Sequence, residues 1–200
     1  AFVVVRRLGQ YGKPILYTHV YSCVPFRQTR ITHQQRKYIS HTYLFNLSQV
    51  HIWDTREGCS VRQLHGPHIC GDALDIKGNE ILTGSWRQHD QLELWDFGSG
   101  ERITEIPWNA GQSHFDSRHD RSCDLYAAQF SKDSRGRFIV AGGSGVNEAK
   151  VFDHGANNAL VGTVTGLEKG VFSVDFSPDR EKVAIAGGDA CIRILDVVDR

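Results

Sequence analysis

A short strand-like ending recurs four times in this chain. Each copy closes with an aromatic residue or leucine followed by aspartate, at Trp53-Asp54, Trp95-Asp96, Phe152-Asp153 and Leu195-Asp196. Successive copies lie 42, 57 and 43 residues apart. Two of these intervals fall near the period of about 40–45 residues that is typical of repeats built from four short strands. The repetition therefore favours an array of similar small sheets and weakens any case for a single catalytic centre.

The second unit shows the pattern of one repeat most clearly. Gly, Asn and Asp bound its short apolar bursts, as they bound strands that are joined by tight turns. We therefore expect strands near residues 70–76, 81–86, 92–96 and 102–107. The fourth unit predicts strands near 171–176, 182–186 and 191–195 in the same way. An antiparallel meander is the simplest fold for each unit.

These units resemble WD repeats, the family that builds β-propellers from four-stranded blades. The stretch 173–190, SVDFSPDREKVAIAGGDA, is similar to the strand-turn-strand wording of the family. The resemblance implies an all-β fold, a β-propeller of four-stranded antiparallel WD-type blades, in one domain with repeats near 1–54, 55–96, 97–153 and 154–196. Because the family mostly uses about seven or eight blades, four repeats predict a segment of a larger ring, with a four-bladed ring as the alternative.

The resemblance also implies a buried hydrogen-bonded network of His, Ser or Thr, Asp and Trp inside each blade. The candidate network residues are Trp53 in the first unit, His65, His68, Thr83, Ser85 and Trp95 in the second, and Asp189 in the fourth. His89 stands where the second unit should carry its Asp. The third unit has Phe152 for Trp and Val146 for Asp, so we expect its blade to rest mainly on apolar packing.

The two ends of the repeat array predict complementary strands. Phe2-Val3-Val4-Val5 is similar to an outermost strand that leads into the innermost strand of the next blade near Pro14. The fourth unit stops after Leu195-Asp196, where an outermost strand should follow. Pairing between such ends removes open sheet edges in propellers.

Charge and cysteine usage bound the setting of the protein. Residues 1–62 hold nine Lys or Arg against Asp54 and Glu57, while the rest of the chain carries the opposite net charge. The five cysteines are widely spaced without a CxxC pair, which is typical of a reducing compartment. The chain contains no apolar run of about 18–20 residues, so we expect a cytoplasmic protein without a membrane segment.

Two clusters raise the question of metal chemistry. His65-Gly66-Pro67-His68-Ile69-Cys70 and the segment with His114, Asp116, His119 and Asp120 each group several metal-binding side chains. A turn and a solvated loop explain them better, because neither has the spacing of a known metal site. Gly142-Gly143-Ser144-Gly145 lacks the Lys-Ser/Thr and the helix of a phosphate-binding loop and predicts a turn. We expect no enzyme, cofactor or metal, and keep metal-dependent hydrolysis as the least favoured hypothesis.

Surface recognition remains as the expected function. By resemblance, we expect a protein-interaction scaffold in a multi-subunit assembly, with a cytoskeletal or ciliary complex as one home. The insertion 107–122 and one strand exit supply the candidate partner-binding residues Trp86, Arg87, Trp108, Phe115, Arg118 and His119. The alternative is RNA or another polyanion bound by segment 27–37, through Arg27, Arg30, Arg36 and Lys37.

Overall fold

The described part of the chain forms four successive sheets, which we call blades one to four. The computed structural model describes residues 2–8, 14–19, 49–54, 58–109, 122–179 and 181–197, with the backbone alone at 2–8 and 14–19. Blade one contains β1 (Phe2–Leu8), β2 (Pro14–His19), β3 (Gln49–Asp54) and β4 (Cys59–His65). Across the sheet their order is β2-β1-β3-β4.

Strand β1 corrects the prediction of an outermost strand at Phe2-Val3-Val4-Val5. It lies inside blade one, antiparallel to β2 and parallel to β3, with Val4 opposite both Thr18 and Ile52. An unbroken run of β-branched residues suits a strand that is paired along both edges. The sequence of β1 therefore fits the interior of a sheet better than its margin.

Blades two and three are antiparallel four-stranded meanders in chain order. Blade two contains β5 (Leu74–Lys77), β6 (Glu80–Gly84), β7 (Leu92–Asp96) and β8 (Arg102–Glu105). Blade three contains β9 (Asp124–Phe130), β10 (Phe138–Ser144), β11 (Ala149–Asp153) and β12 (Ala159–Val164). The strands predicted for the second unit are thus confirmed, with small shifts at their ends.

Blade four has three described strands, β13 (Val171–Phe176), β14 (Lys182–Gly187) and β15 (Ile192–Asp196). The predicted turn between the first two forms through the Ser177 hydroxyl, which accepts a hydrogen bond from Lys182 N at 3.0 Å. Within the described residues β15 is the edge strand, and Ile192 and Ile194 on it are largely exposed.

The inner strands of successive blades lie side by side. Asp72, just before β5, forms a parallel bridge with Ala127 in β9, and β9 also contacts β13. The carboxylate of Asp75 in β5 accepts a hydrogen bond from Phe130 N at 2.9 Å. Two apolar cores fill the spaces between blades: one joins blades one to three, and the other joins blades three and four. The architecture is therefore all-β, with blades stacked radially as in a segment of a propeller.

Candidate functional site

One end of the sheets gathers two kinds of connection: those that lead into the first, inner strand of a blade and those that join its second strand to its third. We call this end the upper rim, and its described connections are 66–73, 85–91, 145–148, 165–170 and 188–191. They lie together because, in a meander, the first strand begins at the edge where the second strand ends. The candidate partner-binding residues Trp86 and Arg87 lie on this rim.

Two inner strands start with a β-bulge that carries an aromatic residue. In blade three, Ala127 pairs with Gly142 and Leu125 pairs with Gly143, which leaves Tyr126 without a partner in the ladder. In blade four, Val171 pairs with Gly187 and Ser173 pairs with Ala186, which leaves Phe172 without a partner in the ladder. A bulge re-aims the extra side chain away from the regular pleat. The direction in which each ring points is therefore set by the bulged backbone, because neither residue has a partner opposite it on the next strand.

The two bulge rings meet each other across the boundary between blades three and four. Tyr126 and Phe172 pack edge to face, with ring centroids 5.1 Å apart and planes 76° apart. Phe172 is 49% exposed and Tyr126 is partly buried, so Phe172 is the more exposed ring of the pair. Such a pair is worth roughly 0.5–1.5 kcal/mol beyond the area that it buries. The pair is thus a preformed aromatic surface.

Glycines allow the close approaches that these bulges need. A Cβ at Gly71 would lie 2.4 Å from the carbonyl oxygen of Tyr126, and a Cβ at Gly143 would lie 2.0 Å from that of Asp124. Gly142, Gly143 and Ser144 belong to β10, with only Gly145 in the turn. The turn predicted for this Gly-rich stretch is wrong for its first three residues, because the strand runs on through the glycines to face the bulge.

Trp86 adds a second exposed ring to the upper rim. It is 44% exposed, its main-chain N–H donates to the carbonyl of His68 at 2.7 Å, and the two rings are 6.1 Å apart. The preceding residue, Ser85, accepts a hydrogen bond from Leu125 N at 3.2 Å, which joins this connection to the strand of Tyr126. We call Asp72, Trp86, Tyr126 and Phe172 the docking patch.

Asp72 stands in blade two where the aromatic bulge residues stand in blades three and four. It precedes Leu74 by two residues, as Tyr126 precedes Ala128 and Phe172 precedes Val174. The paired residues that align these positions are Leu74 with Thr83, Ala128 with Ala141 and Val174 with Ile185. The Asp72 side chain is exposed. The same structural position thus presents a carboxylate in one blade and an aromatic ring in the next two.

A second carboxylate belongs to the same strand as Tyr126. Asp124 precedes Tyr126 by two residues, and burial raises the pKa of its carboxyl group. Its charge in turn contributes, after burial itself, to the raised pKa of the Cys70 thiol. Among the described residues neither Asp72 nor Asp124 has an ion-pair partner. Asp72 Oδ2 accepts a hydrogen bond from the neutral Gln129 side chain at 3.4 Å, so this end of the sheets carries negative charge that no described cation balances.

Arg87 braces its own loop. Its Nη2 lies 2.7 Å from Glu93 Oε2, its Nε donates to the Asp90 carbonyl at 2.9 Å, and its Nη1 donates to the Gly66 carbonyl at 3.0 Å. Glu93 is buried and also pairs with Arg102 at 2.9 Å. These contacts occupy the guanidinium, so Arg87 is better placed to hold the Trp86 connection than to contact a partner.

Trp108 was predicted to contact a partner, and its burial contradicts that prediction. The side chain is 3% exposed, its ring lies 5.9 Å from that of Phe152, and its Nε1 donates to Glu148 Oε1 at 2.6 Å. A residue with this burial belongs to the interior of blade three and has no surface for a partner. The expectation that blade three rests mainly on packing is also incomplete, because Glu148 and Lys150 are charged and buried beside Trp108.

The predicted blade network forms in part. Trp95 Nε1 donates to Thr83 Oγ1 at 3.1 Å, and both residues are buried. Ser85 Oγ accepts from the main-chain N–H of His68 at 3.3 Å. His65 is exposed on β4, and His68 contacts Ser85 through its main-chain N–H. In blade two, Thr83 and Trp95 are thus hydrogen-bonded to each other within the interior.

The other predicted network residues have different surroundings. Asp189 accepts a hydrogen bond from Cys191 N at 3.2 Å and pairs with Arg193 at 2.6 Å; the Arg193 hydrogen bond, then the Cys191 N–H, lower the pKa of its carboxyl group. Trp53 Nε1 is buried with no hydrogen-bond partner among the described residues.

Several predicted site residues lie outside the described part of the chain. They are Phe115, Arg118 and His119 of the insertion, His114, Asp116 and Asp120 of the least favoured metal hypothesis, and Arg27, Arg30, Arg36 and Lys37 of the basic segment. Within the described residues no group of three or more His, Cys, Asp or Glu is arranged to hold a metal ion. In that same part, the chain has no helix with the length and apolar character to cross a bilayer.

Comparison with known proteins identifies the fold through structure alone. No protein-family model matches the sequence, and no curated protein matches it. A chain in the crystal structure of the mitotic checkpoint complex is similar, with a TM-score of 0.60 at 16% sequence identity. The match covers 76% of this chain and 45% of that chain, so the present chain spans less than half of its structural neighbour. At this identity the likeness shows a shared fold, a partial β-propeller.

Proposed function

We propose that this chain is a non-enzymatic protein-interaction module whose docking patch, Asp72, Trp86, Tyr126 and Phe172, binds a partner protein within a larger assembly. The observation that carries the proposal is the Tyr126–Phe172 ring pair, in which Phe172 is about half exposed, held on two bulges at neighbouring inner strands. Large aromatic side chains with fixed geometry are the residues that most often dominate binding energy at protein interfaces.

The charge beside the rings indicates the chemistry of the partner. Asp72 and Asp124 carry negative charge that no described cation compensates, whereas Arg87 is already occupied by Glu93. A partner segment with an apolar residue and a Lys or Arg nearby would pack on the rings and pair with these carboxylates. The structural neighbour comes from a multi-protein complex, which supports an assembly role in general terms. A cytoplasmic, cytoskeletal or ciliary setting belongs to this proposal and rests on the WD-repeat resemblance.

The test compares proteins captured by the intact chain and by surface variants. Tyr126→Ala with Phe172→Ala removes the ring pair, and Val161→Ser on the outer strand β12 is the matched control, since Val161 is also exposed. We expect the double variant to lose a defined set of proteins that the control retains, with equal circular dichroism spectra. Equal capture by both variants would refute the docking patch.

RNA or polyanion binding stays as the second candidate because of the charge excess in residues 1–62. It predicts binding to a labelled single-stranded RNA that falls steeply with salt. Exchange of Arg27, Arg30, Arg36 and Lys37 for Ser should then abolish RNA binding and leave protein capture unchanged. Salt-insensitive or absent RNA binding would exclude this candidate.

A further inference from the structure

Lys150 on β11 is a fully buried lysine, which requires an explanation. A buried charge is costly unless it is paired and hydrogen-bonded. Here Nζ lies 3.1 Å from Glu148 Oε1 and donates to the Trp108 carbonyl at 2.8 Å. It also lies 4.9 Å from the centre of the Trp108 ring, within the range of a cation–π contact. One ammonium group thus joins β11 to the connection that leaves blade two.

Glu148 completes the arrangement by contacting both sides of that connection. Its Oε1 accepts the hydrogen bond from Trp108 Nε1, and after burial its charge is the next influence that raises the pKa of the buried Cys123 thiol. Trp108 precedes residues 110–121 and Cys123 follows them. The two sides of the connection between blades two and three therefore meet at a single glutamate.

Trp108 also supplies what Phe152 lacks. In blade two, Trp95 donates its own indole N–H to Thr83, but the equivalent Phe152 of blade three has no N–H. Trp108 packs on Phe152 and brings an indole N–H from the connection. The acceptor is now a carboxylate, and Lys150 supplies the charge that balances it.

The same glutamate leads directly to the bulge of Tyr126. Gly143 N donates to the Glu148 carbonyl at 3.3 Å, and Gly143 pairs with Leu125, the residue before Tyr126. Fixing Glu148 therefore fixes the strand that faces the bulge.

We propose that Trp108, Glu148 and Lys150 form an interblade lock, which fastens the connection between blades two and three onto blade three and holds the Tyr126 bulge in place. The lock stands whether or not Tyr126 contacts a partner. It also assigns residues 107–109 to the blade, so that a deletion confined to 110–121 preserves the fold better than one that removes 107–122.

Amide hydrogen exchange in the full chain tests the lock. Glu148→Gln and Lys150→Met each leave one buried charge without its partner, and the double variant leaves neither. We expect each single variant to speed exchange at amides 123–126 at least tenfold relative to amides of β6. The double variant should speed it less than either single change, because breaking a buried pair costs more than removing it. Trp108→Phe, which keeps the ring and loses the N–H, should affect the same amides.

The control is Lys182→Met, which makes the same substitution in the exposed pair with Asp196. We expect this variant to change exchange at amides 123–126 less than threefold, because surface pairs contribute little. If the single variants do not fold, folding of the double variant supports the lock and its failure overturns it. Additive single effects, or unchanged exchange at 123–126, would also overturn it.

Discussion

Trp95 and Thr83 lie diagonally across neighbouring strands of blade two, and the indole Nε1 donates a 3.1 Å hydrogen bond to the threonine hydroxyl. Both side chains are buried. Thr83→Val keeps the shape but leaves the indole N–H without an acceptor. We expect the free energy of unfolding to fall by about 1–3 kcal/mol in urea titrations. Thr83→Ser, which keeps the hydroxyl, should lose about 0.8 kcal/mol for its methyl group. Equal stability of the two variants would show that the hydrogen bond contributes little.

Asp75 makes stability depend on pH. Burial is the largest influence and raises the pKa of its carboxyl group, against the opposing hydrogen bonds from Phe130 N and Ile76 N and the charges of Lys132 and Lys77. The folded state therefore binds this proton more tightly than the unfolded state, whose Asp pKa is about 3.9. Stability from this group is present at low pH and is lost as pH rises through the raised folded value.

Asp75→Asn removes this titration while keeping the size of the side chain. The free energy of unfolding of the variant, relative to the unmodified chain, should rise with pH through that window and level off above it. Urea titrations from about pH 3 to pH 7 measure this difference. A flat difference, or one that falls with pH, would contradict the assignment.

Gly143 allows β10 to approach the bulge of blade three. In Gly143→Ala the new methyl group would lie 2.0 Å from the Asp124 carbonyl oxygen, so the backbone must shift at a cost of about 1–3 kcal/mol. Gly162→Ala on β12 is the control, because nothing lies within 4 Å of a Cβ there. We expect a change within about 0.5 kcal/mol for it. Thermal unfolding of both variants measures the difference. Equal unfolding midpoints for Gly143→Ala and Gly162→Ala would count against the close approach.

The described cysteines should differ in reactivity. Burial is the main cause that raises the pKa of Cys123 to about 12, so hardly any thiolate is present at neutral pH. Cys59 and Cys191 are exposed. Iodoacetamide at about pH 8, close to the ordinary thiol pKa, should label these two in the native chain and spare Cys123, as read by peptide mass spectrometry. Rapid native labelling of Cys123 would mean that this part of blade three opens readily.

Local patterns predicted most of the fold because blades two to four are made of strands that follow one another in sequence. The repeated endings placed β7, β11 and β15 correctly, and the Ser177 turn formed where its residues indicated. Strand β1 was misplaced because an apolar run fits several positions in a sheet, and its parallel partner β3 lies more than 40 residues away. Sequence periodicity carries no information about that choice of partner.

The candidate site was only partly predictable. The sequence suggested Trp86 and Trp108 alike as contact residues, but Trp86 is exposed and Trp108 is buried. Tyr126 and Phe172 were missed because a bulge interrupts the alternation that sequence analysis relies on. Alignment of the inner strands would have shown that these positions correspond, since Asp72 stands 23 residues before Trp95 and Phe172 stands 23 residues before Leu195.

At the unpaired bulge residues, the choice of side chain is separate from the pairing of the strands. Because Tyr126 and Phe172 have no partner in the ladder, their side chains can be exchanged without rewriting the strand registers that hold the blades together. Among the described residues, blades three and four each present one such position at the upper rim, where the side chain can vary while the ladder on either side of the bulge stays the same.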